Sequence, residues 1–235
     1  MIKVGGLLPF TMIDFPGKLS AVIFCQGCLL NCPYCHNPEL QSPATKTQVT
    51  WEEVVDLLKS RQNLLDGVVL SGGEPLIQKE LPQAIREIKS LGYQVALHTS
   101  GALPEALAAV LPDISWIGLD VKGAFSKYHE ASGTKPEFKI GEAVQKSLDM
   151  ILKSGVPFEA RTTTDPRVVT KEDIWEMASY LSQKGVRTYA LQEYRPCENG
   201  RMPEPPAAAI TAFYQDAAFL KKLESLFESF IVRRA

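Results

Sequence analysis

Long apolar runs are missing from this sequence. Nothing in it approaches the roughly 18 uninterrupted apolar residues of a membrane-spanning helix, so no membrane span is expected. One-sided charge is missing too: 25 Lys and Arg stand against 27 Asp and Glu, a net charge of −2. Without a long basic run there is no electrostatic footprint for nucleic acid or an anionic membrane. The N-terminus, "MIKVGGLLPFTMIDFPG", lacks the basic start, apolar run and small-residue cleavage site of a secretory signal, so a cytoplasmic location is expected. Internal repeats are also absent. Cysteine is nearly absent outside one place, since four of the five lie between Phe24 and Leu40 in "FCQGCLLNCPYCHNPEL". In a reducing compartment such crowding points to metal ligands or redox groups rather than structural disulfides.

What remains is the balance of an ordinary folded protein, with 45% apolar and 22% charged residues in 235. One domain over residues 1–235 is expected. Short β-branched runs alternate with stretches of helical period, the pattern of repeated β-α units around a parallel sheet. The expected strands are near 21–24, 67–70, 94–98, 116–121, 158–163 and 188–192. Helices are expected near 51–63, 80–91, 104–110, 141–154 and 171–184. A last one, over 207–230, would cover the barrel. Residues 1–19 form a lead-in, and "PCENGRMPEPP" has linker-like composition. Thr50 with Glu53 reads as a capping box and Thr170 with Asp173 as its shorter variant. Gly67, Gly92, Gly155 and Gly185 each stand where a helix should close. Six units are two short of a closed eight-unit barrel, leaving an incomplete (β/α)6 three-quarter barrel beside a doubly wound open sheet. In either, the site belongs at the carboxyl ends of the strands.

Cys25, Cys28, Cys32 and Cys35 read as C-x2-C-x3-C-x2-C, or as C-x3-C-x2-C with one thiol upstream. A structural zinc site wants two ligand pairs well separated along the chain, and here they are three residues apart. A zinc-stabilised binding module therefore stays as the alternative from another class, with His36 as a substitute ligand. A cubane iron–sulfur cluster can take three thiolates from one tight loop and leave one iron open to a small molecule. A simple redox pair is the third reading.

Cys28-x3-Cys32-x2-Cys35 with Tyr34 before the last cysteine, followed by Gly72-Gly73-Glu74-Pro75, resembles the radical S-adenosylmethionine enzymes. "TMIDFPGKLSAVIFCQGCLLNCPYCHNPEL" is similar to the glycyl-radical-enzyme activases, and "TMIDFPG" to the anaerobic ribonucleoside-triphosphate reductase activating proteins among them.

The resemblance implies an oxidoreductase that binds a [4Fe–4S] cluster through Cys28, Cys32 and Cys35 and cleaves S-adenosylmethionine to a 5′-deoxyadenosyl radical. It implies a flavodoxin or ferredoxin-type electron donor and a glycyl radical enzyme, anaerobic ribonucleotide reductase, as partner. Activation of another glycyl radical enzyme, of the pyruvate formate-lyase type, or radical chemistry on a small molecule are the alternatives in class. On the same ground Gly72 and Gly73 contact the cofactor with Glu74 supporting the loop, and Asp120 and Lys122 lie near its ribose and carboxylate. A monovalent cation lies nearby in some relatives; His98, where a carboxylate is usual, puts that in doubt here, though its neutral imidazole could still hydrogen-bond a ribose hydroxyl, and Tyr34 and Thr99 are further cofactor candidates. Arg161 is a candidate for the methionyl carboxylate and Gln192 for the adenosine. Cys25 is expected to be a small buried residue, His36 a hydrogen-bonding residue of the loop, and Cys197 a non-ligand thiol.

Overall fold

A computed structural model describes residues 1–47, 49–195 and 206–234. Their strands are β1 (Val4–Thr11), β2 (Ser20–Cys25), β3 (Gly67–Gly72), β4 (Gln94–Thr99), β5 (Trp116–Asp120), β6 (Phe158–Thr164), β7 (Thr188–Glu193) and β8 (Ser229–Arg233). The helices are α1 (Trp51–Ser60), α2 (Leu81–Ser90), α3 (Pro104–Val110), α4 (Tyr128–Ser132), α5 (Ile140–Ser154), α6 (Lys171–Gln183), α7 (Ala207–Tyr214) and α8 (Ala217–Glu224). The strands form one sheet in chain order. β1 is antiparallel to β2 and every later neighbour is parallel. A doubly wound sheet would reverse its strand order at a switch point. This order never reverses, and β1 and β8 do not pair, so the sheet is an open barrel whose central six strands are those expected.

Both capping boxes are present, at Thr50 with Glu53 and at Thr170 with Asp173. Gly92, Gly155 and Gly185 adopt the positive φ expected of them. Gly67 does not: it lies in β3, where a Cβ would come 2.9 Å from the Phe15 ring. That contact marks how the lead-in is used. Phe15 turns into the barrel and is buried with Val22, Val69 and Ala96, with Phe24 and Trp116 beside them. A turn at Pro16-Gly17, closed by the Lys18 N–H donating to the Phe15 carbonyl at 3.0 Å, holds it there. The larger apolar core lies on the other face of the sheet, under the helices.

Two expectations need correction. Residues 207–230 are not one covering helix. Asp216 accepts from the Phe219 N–H at 3.0 Å and starts a second helix, and Ser229–Arg233 joins the sheet as β8, with Phe230 against Tyr189. The aromatic spacing that looked helical is shared between two helices and a strand. The lead-in, likewise, contains β1, masked in the sequence by Gly5, Gly6 and Pro9. Proline is tolerated there because β1 is an edge. The segment 196–205, with Cys197, lies outside the described residues.

Candidate functional site

Three thiols of the chain, those of Cys28, Cys32 and Cys35, open onto one cavity of about 440 Å³ at the carboxyl ends of the strands. The loop bearing them leaves β2 and is closed at its neck. Gln26 Nε2 donates to the carbonyls of Glu39 and Ser42 at 2.9 and 2.8 Å, and the N–H groups of Gly27 and Cys28 donate to Leu40 and Gln41. Within the loop the Leu30 N–H donates to Cys28 Sγ at 3.4 Å. Burial pushes the Cys28 thiol up to about 12, with the Glu74 charge adding to it. It raises Cys32 as well, against the nearby Lys122 ammonium. Metal binding to these thiols must therefore displace protons.

Cys25 is fully buried at the end of β2, pushed up to about 12 chiefly by burial, and lines no part of the cavity. It is the small buried residue expected. His36 Nδ1 donates to the Arg195 carbonyl at 3.3 Å, the loop role expected of it.

Gly72 and Gly73 end β3 in the cavity wall. Their lack of side chains has a second cause besides ligand approach. A Cβ on Gly72 would lie 2.3 Å from the Cys25 nitrogen, and one on Gly73 2.2 Å from the Gly27 carbonyl oxygen. The strand end is packed directly on the root of the cysteine loop. Glu74 is buried and points away from the cavity. Its Oε1 accepts from the Leu76 N–H at 3.2 Å and the Thr99 hydroxyl at 2.7 Å; its Oε2 accepts from the Ser100 N–H at 2.9 Å and the Ser100 hydroxyl at 2.5 Å. One carboxylate thus ties the end of β3 to the end of β4, and Glu74 itself does not reach the cavity where a cofactor would contact it.

Asp120 and Lys122 face the cavity together, with Tyr34, His98, Thr99 and Gln192. Arg161 Nε donates to Asp120 Oδ1 at 2.8 Å, whereas Lys122 Nζ stands 3.8 Å from Oδ2, beyond hydrogen-bond reach. One oxygen of Asp120 is committed and the other is presented to the cavity. Burial acts to raise the Asp120 pKa, but Arg161 and Lys122 outweigh it and hold the carboxyl below the ordinary value. Burial opposes the charge on Lys122, yet Cys32 and Asp120 lift its pKa well above normal. Tyr34 donates to the Lys122 carbonyl at 3.3 Å, joining the cysteine loop to the end of β5.

Arg161 does not reach the cavity wall, so the geometry gives it no carboxylate of a bound molecule to hold. Its guanidinium lies beneath, on Asp120 and 3.4 Å from His98 Nδ1, over a Gly118 whose Cβ would come 2.7 Å from it. His98 Nε2 donates to the Asp14 carbonyl at 2.9 Å, leaving Nδ1 to accept from Arg161. Burial first, then Arg161, hold its pKa down to about 3, so the imidazole is neutral. A cation beside Asp120 would face both Arg161 and Lys122, a field that adds to the case His98 already makes against a monovalent cation here. Sequence reasoning missed Asp14 and Arg233 among the lining residues and gave no cofactor role to Ser71, Ser100 and Thr163, which stand at the strand ends of the expected active face. Period-two alternation along β3 and β6 could have indicated Ser71 and Thr163.

The Radical SAM superfamily model matches residues 22–181. The chain belongs to the radical SAM superfamily. It falls among the glycyl-radical-enzyme activases: it is 35% identical over 200 residues to a Methanocaldococcus jannaschii protein named as a glycyl-radical enzyme activating enzyme, covering 82% of this chain and 80% of that one. It is 32% identical over 153 residues to the pyruvate formate-lyase-activating enzyme of Staphylococcus epidermidis, and 34% over 127 to that of Clostridium pasteurianum. The aligned parts cover 59% and 52% of this chain, and only 60% and 53% of those relatives. In fold it is similar to Escherichia coli QueE (TM-score 0.57, 14% identity, 100% of this chain and 93% of that one). It is likewise similar to Streptococcus suis SuiB bound to precursor peptide SuiA (TM-score 0.64, 14% identity, 90% and 48%).

Radical SAM enzymes use a [4Fe–4S] cluster and S-adenosylmethionine, and the residues present fit both. A cluster offers a separate iron to each thiol, so it asks for thiols around a volume rather than around a point. The thiols of Cys28, Cys32 and Cys35 open onto one cavity, which meets that demand. No helix among the described residues is long and apolar enough to cross a membrane.

Proposed function

We propose that Cys28, Cys32 and Cys35 hold the cluster and that Gly72, Gly73, Asp120 and Lys122 hold S-adenosylmethionine, for hydrogen abstraction from a glycine of a glycyl radical enzyme. The observation that carries this is the single cavity shared by the three thiols and the Asp120–Lys122 pair. When bound, the cluster supplies one electron to the sulfonium, whose cleavage gives methionine and the 5′-deoxyadenosyl radical. The chain's own groups do the placing. The open oxygen of Asp120 would accept a hydrogen bond from a ribose hydroxyl, Lys122 would meet the carboxylate, and the bare backbone at Gly72-Gly73 would admit the amino group. Tyr34, Thr99 and Gln192 complete the wall.

Anaerobic ribonucleotide reductase is the proposed partner, supported by the "TMIDFPG" lead-in, with a flavodoxin or ferredoxin-type protein as electron donor. The open seam between β1 and β8 supports access by a large substrate. Leu8 and Phe10 of the edge strand β1 and Met12 and Ile13 just after it are exposed, and Ile13 also borders the cavity. A second reading, activation of a pyruvate formate-lyase, draws on the names of two relatives.

The test is anaerobic reconstitution, reduction and addition of S-adenosylmethionine with each candidate partner, beside a Cys32→Ala variant. A cluster resonance that changes on adding the cofactor, 5′-deoxyadenosine from the unmodified chain only, and a glycyl radical on the reductase are expected. Stoichiometric zinc without cluster would overturn the reading; a glycyl radical on the lyase alone would select the second.

A further inference from the structure

The stretch between β5 and α5 carries no motif, yet both halves of the site rest on it. The ladder of β5 with β6 ends where the Val121 N–H donates to the Arg161 carbonyl at 2.8 Å. Beyond it the Lys122 N–H donates to the phenol oxygen of buried Tyr128 at 3.1 Å, and that phenol donates to the Asp120 carbonyl at 3.4 Å. Tyr128 thus stands in for the missing strand partner. Its ring is fixed by stacking on Phe125, 5.7 Å between centroids, and Phe125 packs on Tyr180 of α6. At the other end of α4 the Ser132 carbonyl accepts from the Asn31 N–H at 3.0 Å. There Gly133 turns left-handed at φ 63°, where a Cβ would lie 1.9 Å from the Asn31 carbonyl oxygen. Five residues of helix therefore hold the end of β5 at one terminus and the cysteine loop at the other.

We infer that Tyr128 is a positioning residue for S-adenosylmethionine: by fixing the two peptide groups that flank Val121, it sets where Asp120 and Lys122 stand relative to the cysteine loop. The inference rests on the proposed cofactor role of Asp120 and Lys122. A residue that served only stability would change folding and iron content, and would leave the cofactor's affinity to follow them. A positioning residue changes that affinity alone, and does so through Lys122.

The experiment uses the full chain, reconstituted anaerobically, as Tyr128→Phe, Lys122→Met and the double variant. Iron content, the reduced-cluster resonance and the S-adenosylmethionine dissociation constant are measured on each. Tyr128→Phe removes both of these hydrogen bonds, and since they act on the cofactor only through Asp120 and Lys122 the variant is expected to weaken binding about three- to tenfold. Iron content and the resonance without cofactor should stay unchanged, and the effect should shrink when Lys122→Met is already present. Unchanged binding in Tyr128→Phe beside weakened binding in Lys122→Met overturns the inference and leaves the site reading intact. So do fully independent effects, or a loss of iron that accounts for the weakening. Unchanged binding in Lys122→Met overturns the site reading itself, and the inference with it. Gly133→Ala serves as the opposite control, expected to lower iron retention first.

Discussion

Replacing Glu74 with Gln changes one atom's hydrogen-bonding sense at the place where the ends of β3 and β4 are tied. All four contacts to the carboxylate are donors, two of them backbone N–H groups that cannot reverse. With the amide oxygen kept at Oε1, the contacts from Leu76 and Thr99 survive. The amide nitrogen then replaces Oε2. The Ser100 hydroxyl can turn to accept from it, but the Ser100 N–H loses its acceptor and faces another donor inside a buried site. A hydrogen bond to a charged group contributes about 1.5–3 kcal/mol, and a buried orphan donor costs about 1–3. Against this, Gln no longer carries the buried charge whose desolvation raises the Glu74 pKa. The two figures measure the same loss, so the net cost is about 1–3 kcal/mol. Equilibrium urea unfolding of the cluster-free full chain under reductant would measure it as a lower midpoint at unchanged slope. In the reconstituted protein, S-adenosylmethionine binding should weaken with it, since Gly72, Gly73, Thr99 and Ser100 all line the cavity. A loss under about 0.5 kcal/mol would show that Glu74 is not the tie between the two strand ends.

Three further outcomes follow from the packing. Gly118→Ala should push the guanidinium of Arg161 off Asp120, because the added Cβ meets it at 2.7 Å; weaker cofactor binding with normal iron content is expected, and unaltered binding would refute it. Phe15→Ala removes the ring that fills the barrel floor and should cost about 3–5 kcal/mol in urea unfolding; a cost below 1 would mean that the lead-in is not part of the core. His98 is held to about 3 in the fold against 6.5 in the unfolded chain, so the unfolded state takes the proton first and stability falls as pH drops below 6.5. Between pH 5.5 and 4.5 the native chain should lose about 1.4 kcal/mol more than His98→Gln, and parallel pH profiles would refute the buried neutral imidazole.

The residues that announced themselves in the sequence are those whose role is local. The cysteine spacing, Gly72-Gly73-Glu74 and the two capping boxes each act within a few positions of chain, so their pattern is the whole signal. Arg161 shows the limit. Alternation places it on the inner face of β6, but whether its guanidinium rises to the cavity or turns sideways depends on Asp120 and on the space over Gly118, one strand away. Tyr128 and Gly133 lie in a stretch with no motif, and their partners are 6 and about 100 residues distant. β1 was hidden by Gly5, Gly6 and Pro9, which weigh against a strand unless it is known to be an edge. The C-terminal aromatics kept a helical spacing across two helices and a strand because all of them pack on one core.

The barrel interior is divided in a way that explains why Arg161 lies under the site rather than in it. The floor beneath β2 to β5 is apolar, filled by Phe15, Val22, Val69, Ala96 and Trp116. On the other side of the barrel the floor is ionic: Arg233 of β8 holds buried Glu159 of β6 through two contacts of 2.7 and 3.0 Å, and Arg161 holds Asp120. A carboxylate standing alone over an apolar floor, beside thiols that must become thiolates, would take up a proton and lose its use as an acceptor. With Arg161 committed to one oxygen from below, Asp120 stays charged before any ligand arrives, and its second oxygen stays open. Lys122, 3.8 Å away, is close enough to share the field and too far to close the contact. The pair is therefore set in charge and incomplete in hydrogen bonding, the condition under which a zwitterionic ligand gains most by binding between them.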